Sequence, residues 1–148
     1  MKLHLRVEFR ADITTRYFAF NSFPGEIKEF YDSQLDPEIR TISYNNYQIP
    51  SMLEYYLNPL KPSLSINGPD YHPVIFEYWY HNIELTGQDL YILQKNSNEL
   101  QRISKDCEDY SLLKKFLTRR DNSIISEYYL YSCNKFSGKI RKLPTLLF

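Results

Sequence analysis

Two consecutive stretches decide the fold class: NSNELQRISKDCEDYSLLKKFLTRR at residues 96–120 and IISEYYLYSC at residues 124–133. In the first, Asn96 and Glu99 stand three residues apart as in a capping box, and apolar residues then recur at helical spacing. These apolar positions are Leu100, Ile103, Cys107, Tyr110, Leu113 and Leu117. The pattern predicts one long helix ending near Arg119 and Arg120. The second stretch is rich in β-branched and aromatic residues and predicts a strand.

The remaining elements follow from alternation, helical spacing and the positions of proline and glycine. Further strands are predicted at Lys2–Arg10, Thr14–Phe20, Ile39–Tyr44, Leu64–Ile66, His72–His81, Leu90–Gln94 and Lys139–Leu143, and shorter helices at Glu26–Leu35 and Ser51–Leu57. We therefore expect an α+β fold with a mostly antiparallel sheet of about six strands, because the connections between them are short. One long helix and one or two short helices are expected to pack on a face of this sheet. Residues 1–148 are predicted to form a single globular domain.

The composition excludes several classes of protein. With 43% apolar and 24% charged residues, the chain is too apolar for intrinsic disorder. No apolar run approaches the roughly 20 residues that span a bilayer, so no membrane partner is expected. Two cysteines, Cys107 and Cys133, are too few for the disulfide framework of a small secreted protein. Cys107 is accordingly expected to be a buried thiol on the helix, in a protein of the reducing cytoplasm.

Motifs of the familiar cofactor enzymes are absent from the sequence. The four glycines are isolated from one another, which excludes a phosphate-binding loop and a dinucleotide fingerprint. No nucleophile elbow and no paired histidine or cysteine spacing for zinc occurs. We predict no cofactor, no metal and no catalytic residue, and expect that the protein is not an enzyme.

One group of residues keeps a catalytic alternative open. His72, Glu77 and His81 lie in one predicted strand, and a metal-independent ribonuclease uses such groups as general acid and base. On a regular strand, however, Glu77 and His81 share a face but lie roughly 13 Å apart. The structural interpretation, in which these are polar residues at the strand ends, is therefore favoured.

A second group, Asp106, Glu108 and Asp109, could bind a metal only if two or more of the carboxylates converged. Arg102 and Lys105 each stand four residues before one of these acids, which is the spacing of exposed ion pairs on a helix. The ion-pair interpretation is favoured.

Tyrosine and cations are concentrated toward the C-terminus. The chain has 14 tyrosines and no net charge, but residues 1–113 carry 10 Lys and Arg against 16 Asp and Glu, whereas residues 114–148 carry 8 against 2. The candidate partner-binding residues in the C-terminal segment are Tyr129, Tyr131, Lys135, Lys139, Arg141 and Lys142. Tyrosine beside cations suits a protein interface or stacking on single-stranded bases. The lysines could instead protect an edge hairpin from aggregation, and the tyrosine count is also what an AT-rich genome would produce.

The sequence thus favours a small, tyrosine-rich, non-enzymatic protein that binds another protein. It could be an inhibitor or immunity-type protein that neutralises a partner enzyme or toxin, an analogy at the level of size and missing motifs. The alternative is an RNA- or single-strand-binding protein with weak metal-independent ribonuclease activity. A neutral chain is a poor nucleic-acid binder, which places that hypothesis second. A subunit of an oligomer is the third.

Overall fold

The computed structural model describes residues 25–68 and 83–138. Its helices and strands, in chain order, are α1 (25–34), β1 (Arg40–Tyr44), α2 (Gln48–Leu57), β2 (Leu64–Ile66), β3 (Leu90–Lys95), α3 (Leu100–Asp106), β4 (Asp109–Arg120) and β5 (Ser123–Asn134). The strands predicted at Lys2–Arg10, Thr14–Phe20, His72–His81 and Lys139–Leu143 lie outside the described residues. The single-domain organisation stays a prediction.

The described strands form one sheet in the order β2-β1-β3-β5-β4. β1 is parallel to both β2 and β3, whereas β5 is antiparallel to both β3 and β4. The α+β class is confirmed, but the expectation of about six mostly antiparallel strands is wrong, because the described sheet is mixed and has five. The physical reason is the connection between β1 and β2, which contains α2 and is long enough for the crossover that parallel strands need.

The long helix predicted over residues 96–120 is also wrong. α3 ends at Asp106, and the chain continues as the twelve-residue strand β4. Register shifts between Leu112 and Lys114 and between Thr118 and Arg119 interrupt the ladder of β4 with β5. At the first irregularity Leu113 is an extra residue of β4 and moves the side-chain alternation of that strand by one position, so apolar residues recur at intervals that resemble helical spacing. At the second, the extra residue is Ile125 of β5. Leucine, lysine and arginine are also good helix formers, but pairing with β5 outweighs that preference.

A tight turn joins β4 to β5. Asp121 and Asn122 have φ values of 48° and 65°, and Arg120 pairs directly with Ser123 on the other side of the turn. Positive φ at both central residues is the geometry of the two-residue turn that matches the twist of a β-hairpin. Asparagine and aspartate tolerate this conformation better than other residues that have a side chain. The pair Asp121-Asn122 was the sequence signal for a hairpin at this point.

A disulfide holds the other end of the same hairpin. Cys107, immediately after α3, is bonded to Cys133 near the end of β5, and their Cα atoms lie 5.4 Å apart. Both residues are buried. The expectation of a free Cys107 thiol on a helix is therefore wrong: the strand pairing of Tyr110 with Cys133 brings the segment that precedes β4 close to β5.

Two hydrophobic clusters cover the two faces of the sheet. Alternate residues of each strand point to opposite faces, so strand alternation assigns each side chain to one cluster. The α3 face contains Ile42, Tyr44, Leu64, Ile66, Leu85, Leu90, Ile92, Ile103, Cys107, Tyr131, Cys133 and Phe136. The α1–α2 face contains Ile27, Ile49, Met52, Leu53, Tyr91, Leu93, Phe116, Tyr128 and Leu130. β3 and β5 contribute buried residues to both faces and form the centre of the described core.

The disulfide gives the first testable prediction. It closes a loop of 26 residues, so losing it raises the entropy of the unfolded chain, and we expect the double variant Cys107→Ala/Cys133→Ala to lose about 3.5 kcal/mol of unfolding free energy. Denaturant unfolding of the oxidised wild type and the variant measures this. Either single variant should lose about as much as the double, since each breaks the same bond. Small, additive losses in the single variants, or alkylation of both thiols in the folded protein, would contradict the prediction.

Candidate functional site

Two of the predicted partner-binding residues, Tyr129 and Tyr131, lie side by side on the α3 face of β5. Their rings are stacked, with centroids 6.4 Å apart and an interplanar angle of 13°. Tyr131 is buried and Tyr129 is half-buried. Both faces of β5 pack in the core, because Tyr128 and Leu130 on the opposite face are buried as well.

The stacked pair continues onto β4. Tyr110 meets the Tyr131 ring edge-on at 6.5 Å, and Leu112 pairs directly with Tyr131 across the ladder. Tyr110 is 36% exposed and Leu112 is 52% exposed. We call Tyr110, Tyr131 and Tyr129 the tyrosine row; it leads from the core to the exposed edge of the sheet.

One carboxylate ties the end of the tyrosine row to a lysine. Lys115 Nζ lies 3.2 Å from Glu127 Oε1, and the Tyr129 hydroxyl donates a 2.9 Å hydrogen bond to Glu127 Oε2. The same Nζ lies 5.2 Å from the centroid of the Tyr129 ring. Hydrogen bonds to Tyr129 and to Glu127 raise the pKa of Lys115 above its ordinary value. Lys115, Glu127 and Tyr129 therefore form a compact polar group on the surface of the hairpin.

The outer side of this hairpin is the most exposed part of the described sheet. β4 is the last strand in the sheet order, and no strand within residues 25–68 or 83–138 lies on its outer side. All five side chains from Asp109 to Leu113 are exposed, so neither face of this half of the strand is covered. Leu113 is 38% exposed and is the extra residue of the irregularity between Leu112 and Lys114.

The third described candidate, Lys135, lies elsewhere. It follows the end of β5 with a φ of 48°, and its side chain forms an ion pair with Glu108 at 3.1 Å. Its backbone N–H donates to Asp89 Oδ1 at 3.0 Å. Lys139, Arg141 and Lys142 lie outside the described residues. The structure thus brings Tyr129 and Tyr131 together and places Lys135 at the opposite end of β5 from the Lys115–Glu127 pair.

Sequence reasoning missed the exposed residues of β4. Tyr110, Leu112, Leu113 and Lys115 had been assigned to a helix, so no surface shared with Tyr129 could be inferred. A hairpin assignment from the turn at 121–122 would have placed them beside the tyrosines.

A second polar cluster lies on the α3 face, where α3 packs against the sheet. Tyr44 donates a 2.8 Å hydrogen bond to Asp106 Oδ2, and the Arg102 guanidinium lies 4.2 Å from the centroid of the Tyr44 ring. The Gln94 side-chain amide accepts a hydrogen bond from the backbone N–H of Tyr44 and donates one to its carbonyl, so it extends the contact between β1 and β3 beyond their paired residues. Arg102 also lies 3.7 Å from Asp106, as its spacing predicted. Because these groups hydrogen-bond or stack on one another, the cluster docks α3 on the sheet.

Other surfaces and sites add little chemistry. Within the described ranges, no group of three or more His, Cys, Asp or Glu side chains could hold a metal ion. His72, Glu77 and His81 all lie outside those ranges, and so does the catalytic alternative built on them. No described helix is long and apolar enough to cross a membrane.

A second exposed aromatic surface lies at the other end of the sheet. The exposed residues immediately before, on and after α2 are Tyr47, Tyr55, Tyr56 and Leu60, with Tyr55 81% exposed. The rings of Tyr55 and Tyr56 meet edge-on with centroids 4.9 Å apart. α2 packs against β1 and β2, at the opposite end of the sheet from β4. This α2 surface offers a natural comparison for tests of the hairpin.

The buried tyrosines predict how stability changes at alkaline pH. Burial raises the pKa of Tyr44, Tyr31, Tyr128 and Tyr131 above the ordinary value of 10.0, and the hydrogen bond to Asp106 adds to the effect at Tyr44. A folded-state pKa above the unfolded one means that the neutral phenol stabilises the fold. This contribution is complete below pH 10.0 and is lost as the pH rises towards the folded-state values.

We therefore expect ionisation of these four tyrosines to coincide with alkaline unfolding. Parallel titrations of phenolate absorbance and circular dichroism measure it. A late, steep rise in absorbance should accompany the loss of secondary structure, and Tyr44→Phe should reduce the size of that late step. Complete ionisation of all 14 tyrosines while the fold persists would contradict the expectation.

The chain was compared with protein-family models, with curated proteins and with solved structures, and none of the three comparisons finds a match. What the chain does is therefore inferred from its own residues.

Proposed function

We propose that the chain is a non-enzymatic protein-binding module that adds an extended segment of a partner protein to the outer side of β4. The observation that supports this most strongly is the exposure of Asp109–Leu113 on both faces of an edge strand. An inhibitor or immunity-type role, in which the partner is an enzyme or toxin, is part of the same proposal.

The physical basis is the position of β4 as the last strand among those of residues 25–68 and 83–138, with none of these strands on its outer side. The outward N–H and C=O groups of such a strand are ready to bond another strand, and proteins usually protect long edges with charges, bulges or covering elements. β4 has an irregularity and two lysines at its centre, but its first half exposes Tyr110, Leu112 and Leu113. A partner strand would gain backbone hydrogen bonds from the edge and apolar contacts from these side chains.

The tyrosine row favours a protein partner over a nucleic acid. Stacking on single-stranded bases needs an aromatic ring with an accessible face and cations free to meet phosphate. The Tyr129 ring already contacts Tyr131 and Lys115, and the Glu127 carboxylate lies beside both polar groups. This carboxylate would repel a phosphate, so RNA binding through these residues is the weaker hypothesis.

A cytoplasmic location stays a prediction. A structural disulfide such as Cys107–Cys133 is more typical of an oxidising compartment. The oxidation state of the two cysteines in protein trapped by alkylation inside source cells would decide between the two compartments.

The experiment that tests the proposed function maps the binding site of a captured partner. The tagged protein is used to isolate partners from its source cells, and the partner identified by mass spectrometry is purified and recombined with the chain. Hydrogen exchange is then measured with and without that partner. We expect the amides of residues 109–113 to gain protection, because a new strand would bond them. Protection confined to the α2 surface, or recovery only of nuclease-sensitive material, would refute the proposal.

A pair of matched substitutions gives the corresponding prediction. Leu112→Lys should weaken binding of that partner at least about tenfold, since it puts a charge where an apolar contact is needed. Tyr55→Lys introduces the same charge at an exposed aromatic of the α2 surface and should leave the affinity unchanged. Calorimetric titration measures both, and both variants should keep the wild-type unfolding midpoint because the replaced side chains are exposed. Equal losses of affinity in the two variants, or a loss only in Tyr55→Lys, would count against β4 as the binding site.

A further inference from the structure

Charge is unevenly distributed along β4. The strand begins with one acidic residue, Asp109, and from residue 114 onward it carries four cations: Lys114, Lys115, Arg119 and Arg120. Between these ends lie the exposed apolar residues Leu112 and Leu113. The outer side of the hairpin therefore has an apolar half, at residues 110–113, and a cationic half, at residues 114–120.

Nearby carboxylates neutralise the cationic half incompletely. From residue 114 to residue 127 the hairpin contains two carboxylates, those of Asp121 and Glu127. Glu127 is already bonded to Lys115 and to the Tyr129 hydroxyl. Lys114 Nζ lies 5.9 Å from the centroid of the Phe30 ring, and Arg119 is exposed. The positive excess along this side of the strand therefore rests on Lys114 and Arg119, neither of which forms an ion pair with another described residue.

The same charges disfavour a second copy of this chain as the occupant. The midpoint of β4 falls between Lys114 and Lys115. If two copies paired antiparallel along the whole of β4, the two-fold axis would pass through this midpoint. Lys114 and Lys115 of one copy would then lie beside the same two lysines of the other copy. Like charges directly or diagonally opposite one another destabilise a strand pair. A segment with acidic residues at these positions would avoid this repulsion between like charges.

We infer that the segment binding to β4 is an extended peptide of a partner protein, acidic where it lies beside residues 114–120 and apolar where it lies beside residues 110–113. This inference rests on the proposed function and adds the chemistry of the partner segment. Carboxylates beside Lys114 and Arg119 would provide charge complementarity, and the apolar half would cover Leu112 and Leu113. Complementary charge would also select against basic segments that fit the edge equally well.

The test uses two synthetic peptides with the length of β4, twelve residues. In both peptides, one half consists of alternating valine and threonine. In the other half, threonine alternates with glutamate in the acidic peptide and with lysine in the basic peptide. Each is made in both chain directions, since a strand can add parallel or antiparallel. Fluorescence anisotropy measures their binding to the full chain. The better acidic peptide should bind at least about tenfold tighter than either basic one, and its affinity should fall as salt rises from about 0.05 M to about 0.5 M.

Neutral substitutions on the protein locate the effect. Lys114→Gln and Arg119→Gln should each weaken the acidic peptide about threefold, the size expected of an exposed ion pair. Lys61→Gln, which removes the same charge beside β2 at the opposite edge of the sheet, should have no effect. Arg119→Lys keeps the charge and should bind like the wild type.

The outcomes separate this inference from the proposed function. Three results would refute the inference that the bound segment is acidic. They are equal or tighter binding of the basic peptide, no binding of any peptide, and equal effects of Lys114→Gln and Lys61→Gln. The inference would also be refuted if light scattering detected a dimer of the chain alone and Leu112→Lys dissociated that dimer, because a second copy would then occupy the outer side of β4. The proposed function fails on a different result, namely protection from hydrogen exchange that maps away from β4 when the captured partner binds.

Discussion

The pairing of β4 with β5 is the interaction on which the rest of the described structure depends. The ladder runs from Asp109 opposite Asn134 to Arg120 opposite Ser123. A tight turn with two positive φ angles closes one end, and the Cys107–Cys133 disulfide fastens the other. Because β5 also pairs with β3, the hairpin attaches β4 to the buried centre of the sheet.

This arrangement explains why the same strand is both stable and exposed. The second half of β4 sends Phe116 and Thr118 into the interior, and the first half depends on the disulfide and on contact between Tyr110 and Tyr131. Apolar side chains on an open edge favour association with other strands, so a protein that keeps them needs a partner or a protective device. The central lysines serve as protection against self-pairing while leaving the edge open to an acidic segment. Stability and selectivity thus follow from the same twelve residues.

Much of the fold could be predicted from local patterns. The sequence predicts helix 25–34, strands β1, β2, β3 and β5 and helix α2 to within a few residues, because each is a short stretch with one clear local pattern, either a helical spacing or a run of strand-forming residues. Residues 109–120 could not be placed in the same way. The extra residue Leu113 shifts the alternation, and a good set of helix formers then outweighs the strand signal in any short window. The decisive interactions, pairing with β5 and the bond from Cys107 to Cys133, join residues that are distant in sequence.

The candidate site was predictable only in part for the same reason. Alternation along β5 places Tyr129 and Tyr131 on one face and Tyr128 and Leu130 on the other. It could not show that Tyr131 is buried or that Glu127 holds Lys115 beside Tyr129, since both facts depend on β4 being a strand. The helix predicted between β1 and β2 was a local sign of their parallel pairing, whereas no local pattern shows that β1 also pairs with β3.

Amide hydrogen exchange of the free chain decides whether residues 109–120 form a strand whose outer side is open. In such a strand, every second amide bonds β5 while its neighbours face outward. We expect alternating slow and fast exchange along β4, interrupted at the two irregularities. Uniformly slow exchange would show instead that another segment covers the edge, and a continuous helical protection pattern from residue 100 to residue 120 would show that β4 is not a strand.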